Sequence, residues 1–152
     1  MILPRGITGF RDRRAGGAIP AVAPKSFARA CHTAARLGGG RVETFDVARY
    51  PRNYYRAIIR LREDAVAVLC NAHFPWVAFA SVSDDGISHR FIDAPALASR
   101  FYEAMPCEVL SPSSLEGPPD AASLNELSAA ELEQIRYWEP DRLGDIIFNS
   151  WD

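Results

Sequence analysis

The sequence predicts an α+β fold, with a central, mostly antiparallel sheet flanked by about three helices. Segments 65–70 and 76–82 are apolar on both faces, as expected of central strands that are covered on two sides. Segment 25–37 repeats apolar residues at spacings of three and four, which indicates a helix packed against that sheet. The length of 152 residues fits one domain, 1–152, and 48% hydrophobic with 24% charged residues is ordinary globular composition.

The first segment, residues 1–23, is rich in Gly, Pro and Arg, so we expect an arm or loop packed on the domain. In the helix that follows, Ser26 is the expected N-cap and Gly38 the expected left-handed C-terminal residue. The glycine run at 38–40 comes after this helix, whereas a phosphate-cradling loop precedes one. We therefore interpret the run as a connector.

Five strands are predicted next, joined by connections short enough for an antiparallel meander: 41–47, 54–61, 65–70, 76–82 and 87–92. A helix over 95–105 begins with Pro95 and has Asp93 as its candidate cap. After a short strand at 107–110, Ser128 and Glu131 form a capping-box pattern that opens another helix. The final prediction is a strand over 145–151.

Candidate chemistry is sparse, and we predict no catalytic residue, metal or cofactor. Cys70 and His73 are close enough in sequence to suggest a nucleophile and its base, but Cys70 closes an apolar strand. A core cysteine beside a loop histidine is the favoured interpretation. The three histidines, His32, His73 and His89, have no metal-ligand spacing.

The cysteines and the first residues of the chain indicate the cellular compartment. Three cysteines without CxxC spacing favour a reducing environment. The start shows no basic region followed by an apolar run, and no apolar stretch approaches the ~20 residues of a membrane span. We expect a cytoplasmic protein that is a monomer or a weak homodimer.

Charge is distributed unevenly along the chain. Residues 1–62 hold 13 Lys and Arg against 3 Asp and Glu, a balance of +10, while residues 63–152 hold 4 against 16, a balance of −12. Either the two halves neutralise each other in the fold, or one of them presents a charged binding surface.

The basic half offers a nucleic-acid-binding alternative, because arginines contact phosphates and tyrosines stack on bases. Its candidate residues are Arg5, Arg11, Arg13, Arg14, Arg56, Arg60 and Arg62, with Tyr50, Tyr54 and Tyr55. Against this, the pI is near 5.9 and no nucleic-acid motif is present. A small enzyme with an unrecognised site is a further alternative.

The acidic half predicts one concentrated potential. Alternate turns of a meander fall at the same end of the sheet, so Glu63 and Asp64 should lie beside Asp84 and Asp85. This acidic rim of four carboxylates is the predicted partner-binding surface.

Both ends of the chain carry distinctive sequences: LPRGITGF at 3–10, YWEP at 137–140 and LGDIIFNSWD at 143–152. With YYR at 54–56 and LCN at 69–71, they resemble a family of small bacterial proteins of the immunity type, with no assigned chemistry. The resemblance implies binding to a cognate toxin domain, as in contact-dependent or polymorphic secreted toxin systems. It carries over no catalytic residues.

Overall fold

The computed structural model describes residues 1–12, 18–82 and 88–152 and confirms the α+β class. Six helices are found in these ranges, about twice the predicted number: α1 (Pro24–Leu37), α2 (Pro95–Ala104), α3 (Pro112–Glu116), α4 (Ala121–Leu124), α5 (Ala129–Trp138) and α6 (Leu143–Ile147). The described strands are β1 (Arg41–Asp46), β2 (Tyr54–Leu61), β3 (Asp64–Asn71), β4 (Trp76–Ser81), β5 (Phe91–Ile92) and β6 (Glu108–Val109). No helix of the described ranges is long and apolar enough to cross a membrane.

The sheet is the predicted meander with one exception. Strands β1 to β5 follow each other in order and pair antiparallel, whereas β6 pairs parallel with β4. β2 and β3 stay in register along their whole length, from Tyr54 opposite Asn71 to Leu61 opposite Asp64. Arg62 makes the tight turn between them in a left-handed conformation, with φ at 49°.

Both faces of the sheet are covered by other parts of the chain. Successive strand residues point to opposite faces, so each strand contributes side chains to two cores. Tyr55, Val68 and Phe79 pack on the face that carries α1 and α2. Tyr54 and Leu69 pack on the other face, against the N-terminal segment and α6. The two consecutive tyrosines of β2 therefore serve two separate cores.

The N-terminal segment has no helix or strand over 1–12 and 18–23, and it lies against the domain. Leu3 and Ile7 are fully buried. The backbone N–H of Leu3 donates to Ser123 at 2.9 Å, and that of Val22 donates to Ala72 at 2.8 Å. Residues near the N terminus are thus part of the main core.

The predicted C-terminal strand is wrong. Residues Leu143–Ile147 form α6, and the chain then continues without a strand to its end. A short apolar run such as residues 146–148 fits a buried helix as well as a strand, so its pattern cannot decide between them. In the helix, Gly144 lies so close to the ring of Phe91 that a Cβ there would collide with it.

Several predicted helix ends also differ. α1 begins at Pro24, so Ser26 lies inside the helix and is not its N-cap. Gly38 has φ at −91°, so it does not adopt the predicted left-handed conformation. α2 has Ala94 at its N-cap without a side-chain hydrogen bond, so Asp93 caps nothing there. The capping box of α5 is confirmed, with Ser128 and Glu131 bonded reciprocally. Of the predicted strand over 87–92, residue 87 lies outside the described residues and only Phe91–Ile92 pairs.

Candidate interaction site where the two chain ends meet

Three buried asparagines join the two ends of the chain to the sheet. The Nδ2 groups of Asn53, just before β2, and Asn71, at the end of β3, both donate to the carbonyls of Ile7 and Ile147 at 2.8–3.0 Å. The Oδ1 of Asn53 accepts from the backbone N–H of Asn149 at 2.8 Å. Because each amide bridges both chain ends, residues 140 positions apart are held side by side in a fixed register.

A buried carboxyl group ties the N-terminal segment to α5. Glu131 has no exposed surface; its Oε1 accepts from the backbone N–H groups of Gly6 at 2.9 Å and Ser128 at 3.1 Å. Its Oε2 accepts from the N–H of Thr8 at 3.2 Å and from the Thr8 hydroxyl at 2.6 Å. The described residues supply no cation to this group, so hydrogen bonds carry the whole compensation for its burial.

Four aromatic rings run across this junction, and we call them the aromatic strip: Phe10, Trp151, Trp138 and Tyr137. Neighbouring ring centroids are 6.4, 6.3 and 5.2 Å apart, and the two tryptophan rings are within 5° of parallel. Trp151 is buried, but Trp138 is 37% exposed and Tyr137 is 76% exposed. The strip thus rises from the core to the surface along α5.

Carboxylates border the exposed end of the strip, and we call this region the acidic side. A hollow of about 230 Å³ is lined by Glu133, Gln134, Tyr137, Trp138 and Asp152. Glu133 and Tyr137 stand four residues apart on α5, so their side chains are neighbours on one helix face. The Nε1 of Trp138 donates to the Oε1 of Gln134 at 3.2 Å, which fixes the orientation of the indole.

Cations border the other end of the strip, in what we call the cationic cleft. It has a volume of about 680 Å³, and no Asp or Glu is among the described residues that line it: Thr8, Gly9, Phe10, Arg11, Ala48, Tyr50, Pro51, Arg52, Asn53, Ala72, His73 and Trp151. A second groove of about 660 Å³ shares Pro51 and Arg52 with it and adds Arg49 and Asp46.

The structure does not support a Cys70–His73 catalytic pair. Cys70 is fully buried on the α1 side of the sheet, and desolvation, followed by the neighbouring Cys31 and Cys107 thiols, raises its pKa far above the ordinary thiol value. Its Sγ lies 3.5 Å from the carbonyl of Asn71 rather than on the imidazole. His73 belongs to the cationic cleft, where its Nδ1 is 2.9 Å from the carbonyl of Pro20.

Half of the predicted acidic rim can be located. Glu63 lies in the β2–β3 turn and Asp64 begins β3, both exposed, while Asp84 and Asp85 lie outside the described residues. Ser81, the last residue of β4, pairs with Val66, so the chain leaves β4 at the same end of the sheet as the turn. The aromatic strip is at the opposite end of the sheet, where Asn71 at the end of β3 bonds to the C-terminal segment. The seven residue steps from Asp64 to Asn71 separate the two ends of β3 by about 23 Å.

Only part of the predicted arginine and tyrosine surface is exposed among the described residues, namely Arg5, Arg11, Arg62 and Tyr50. Tyr54 and Tyr55 are buried in the two cores and cannot stack on bases. Arg56 lies 4.0 Å from Asp46 of the neighbouring strand, and the Nε of Arg60 lies 3.1 Å from Glu43. Tyr50 is 80% exposed. Arg13 and Arg14 lie outside the described residues.

The ion pairs show whether the basic and acidic halves of the chain neutralise each other. Each of the four found within 1–12, 18–82 and 88–152 joins residues of the same half: Arg56–Asp46, Arg60–Glu43, Arg142–Glu116 and Arg142–Asp145. In the described chain, therefore, no ion pair cancels the basic half against the acidic half.

Sequence reasoning missed both the strip and the cleft, although the distinctive sequences at the two chain ends contain all four of the strip's residues and part of the cleft lining. Their clustering depends on contacts between residues 96 to 141 positions apart, as in the bonds of Asn149 to Asn53 and to Thr8. In comparisons with other proteins, no family model, curated protein or solved structure matches the chain.

Proposed function

We propose that this chain is an immunity protein, which binds a cognate bacterial toxin domain and neutralises it by blocking its active face. The acidic side of the aromatic strip is the contact surface in this proposal. The observation that carries it is the exposure of Tyr137 and Trp138 on α5 around a hollow that Glu133 of the same helix and Asp152 also line.

Exposed aromatic rings of this kind favour a protein partner. Tyr and Trp are enriched among the few residues that supply most of the binding energy in protein interfaces, and they lose little conformational entropy on binding. The Trp138 ring is already held by its stack on Trp151 and by its bond to Gln134, so it is ordered before a partner arrives. Preorganised contacts of this type lower the cost of association.

The surrounding charge favours a cationic partner. Toxins that act on nucleic acids need a positive surface to hold phosphates, and a negative protein surface is attracted to it. Such complementarity accelerates encounter more than it prolongs residence. The acidic half of this chain keeps its charge available, since its described ion pairs involve only Arg142 among the cations.

In this proposal the protein acts as a monomer or weak homodimer in the cytoplasm and uses neither a cofactor nor a reaction of its own. Its three cysteines are free, two of them buried, which is compatible with a reducing compartment.

Capture from the native host with matched baits tests the proposal. We expect the wild-type protein and Tyr102→Ala to retain one protein partner, and Tyr137→Ala to lose most of it. Tyr102 is the control because it is another exposed helical tyrosine, at 55%, on α2. Tyr137→Ala should keep the wild-type melting temperature, and Tyr102→Ala should melt slightly lower, because the Tyr102 hydroxyl accepts from the backbone N–H of Val109 at 3.2 Å.

Growth provides the functional readout. Expression of the captured partner alone should arrest growth, and co-expression of the wild-type protein or Tyr102→Ala should restore it, whereas Tyr137→Ala should restore it poorly. A partner that does not arrest growth, or equal rescue by both variants, would contradict the proposal.

A further inference from the structure

The cationic cleft lies at the buried end of the aromatic strip and has no part in the proposed toxin contact. Arg11 is exposed at its margin and Arg52 is half-buried, and neither has an ion-pair partner among the described residues. The described lining includes no carboxylate to offset these two guanidinium groups. A concave surface with uncompensated positive charge attracts an anion.

Contacts with neighbouring residues fix the positions of Arg52 and His73 in the cleft. The guanidinium of Arg52 lies 5.0 Å from the centroid of the buried Tyr54 ring, a cation–π contact that holds it against the cleft wall. The Nδ1 of His73 bonds to the carbonyl of Pro20, which leaves Nε2 directed toward Gly9. A Cβ on Gly9 would lie 3.4 Å from that nitrogen, an ordinary contact distance, so the edge of the imidazole faces the Gly9 backbone.

An exposed ring stands beside these cations. Tyr50 lines the cleft and is 80% exposed, and Arg49 and Arg52 flank it in sequence. The neighbouring groove extends the surface beyond Pro51; its one described acid, Asp46, lies 4.0 Å from Arg56. Solvent-exposed aromatic rings interleaved with arginines are the arrangement that holds single-stranded nucleic acid, with bases stacked and phosphates paired.

We propose that the cationic cleft binds a nucleotide unit, with its phosphate on Arg11 and Arg52 and its base stacked on Tyr50. The volume of about 680 Å³ is within the usual range for small-molecule sites and accommodates one such unit. An acidic peptide would satisfy the guanidinium groups but has no planar group for the exposed tyrosine. A free nucleotide and a nucleotide within a strand present the same phosphate and base, and competition between them distinguishes the two sources.

Fluorescence anisotropy of a labelled single-stranded RNA oligonucleotide, with competition by free adenosine monophosphate, tests the site. Arg11→Gln combined with Arg52→Gln should weaken RNA binding at least tenfold and reduce the slope of log K against log salt by about 0.7, the amount expected for one lost phosphate contact on a single strand. The control is Arg29→Gln combined with Arg41→Gln, which removes the same charge from exposed positions on α1 and β1. It should bind RNA nearly as the wild type does.

The aromatic contribution is tested separately. Tyr50→Ala should weaken binding at least about fivefold, whereas Tyr50→Phe, which keeps the ring, should not. Competition by adenosine monophosphate would assign the site to free nucleotides as well as strands. Absence of competition would assign it to strands alone. Either result supports the proposal if the cleft variants bind RNA more weakly than the wild type. Three results would overturn it: no RNA binding, equal loss in the arginine control, or displacement by a glutamate-rich peptide as effective as by unlabelled RNA.

Discussion

Replacing the buried Glu131 by alanine should destabilise the protein more than any other single change in α5. Its carboxyl oxygens accept from three backbone N–H groups, those of Gly6, Thr8 and Ser128, at 2.9–3.2 Å. Each of these donors is buried, and in the alanine variant none of them has its acceptor. The substitution therefore removes half of the α5 capping box together with the bonds that tie the N-terminal segment to α5.

The size of the effect follows from those three donors. A buried donor without a partner costs about 1–3 kcal/mol, so Glu131→Ala should lower the free energy of unfolding by roughly 3–9 kcal/mol. A domain of this kind has about 5–15 kcal/mol in total. Glu131→Gln should cost less, about 2–4 kcal/mol, because the Thr8 and Ser128 hydroxyls can turn to accept from an amide while a backbone N–H cannot.

Urea unfolding followed by circular dichroism measures these differences, with Glu133→Ala and Glu133→Gln as controls. Glu133 is exposed on the same helix, so its variants should remain within about 0.5 kcal/mol of the wild type. We expect the losses to rank Glu131→Ala, then Glu131→Gln, then the controls. If Glu131→Gln were as stable as the wild type or more so, the cost of burying the charge would exceed what its hydrogen bonds supply.

Three other predictions concern stability and accessibility. Deleting residues 148–152 should abolish cooperative melting, because it removes two buried aromatic side chains worth about 3–5 kcal/mol each; melting within a few degrees of the full chain would contradict this. Desolvation lowers the pKa of His89 in the folded state below its usual 6.5, so the unfolded chain binds the proton first and stability should fall as pH drops below about 6.5, by up to ~1.4 kcal/mol per pH unit. His89→Gln should flatten that slope in pH-dependent urea unfolding, and an unchanged slope would assign it to other groups. Burial raises the pKa of all three thiols, but Cys107 is only half-buried, so a thiol reagent should modify it in the native protein before Cys31 and Cys70; simultaneous labelling of all three without denaturant would refute this order.

Local patterns predicted the sheet and one helix start well. The range of β2 was predicted correctly, and the period of two of a strand places Tyr54 and Tyr55 on opposite faces of the sheet, as the structure has them. The Ser128–Glu131 capping box is equally local, since both partners belong to one turn. Such features need no knowledge of the rest of the fold.

Features decided by distant residues could not be predicted. Residues 143–147 form a helix, whereas their short apolar run fits a buried strand equally well, so no pattern within the segment distinguishes the two. The aromatic strip and the cationic cleft likewise depend on the asparagine bridges that join the chain ends. The acidic rim was inferred from topology alone. The chain leaves β4 at the same end of the sheet as the β2–β3 turn, as expected, and binding of a partner by the rim stays a prediction.

Binding kinetics of the captured partner at two or three salt concentrations test the central proposal most directly. The comparison is between wild type, a strip variant (Glu133→Gln with Tyr137→Ala), its control (Glu103→Gln with Tyr102→Ala) and a rim variant that neutralises Glu63, Asp64, Asp84 and Asp85. Glu103 and Tyr102 are exposed on α2, so the control matches the strip variant in charge and ring removed.

We predict that the strip variant associates more slowly, loses salt dependence and dissociates faster, because it removes a steering charge and an anchoring ring together. The control should match the wild type. Slower association in the rim variant alone would move the interface to the far end of the sheet. Wild-type kinetics in both variants would contradict the immunity proposal.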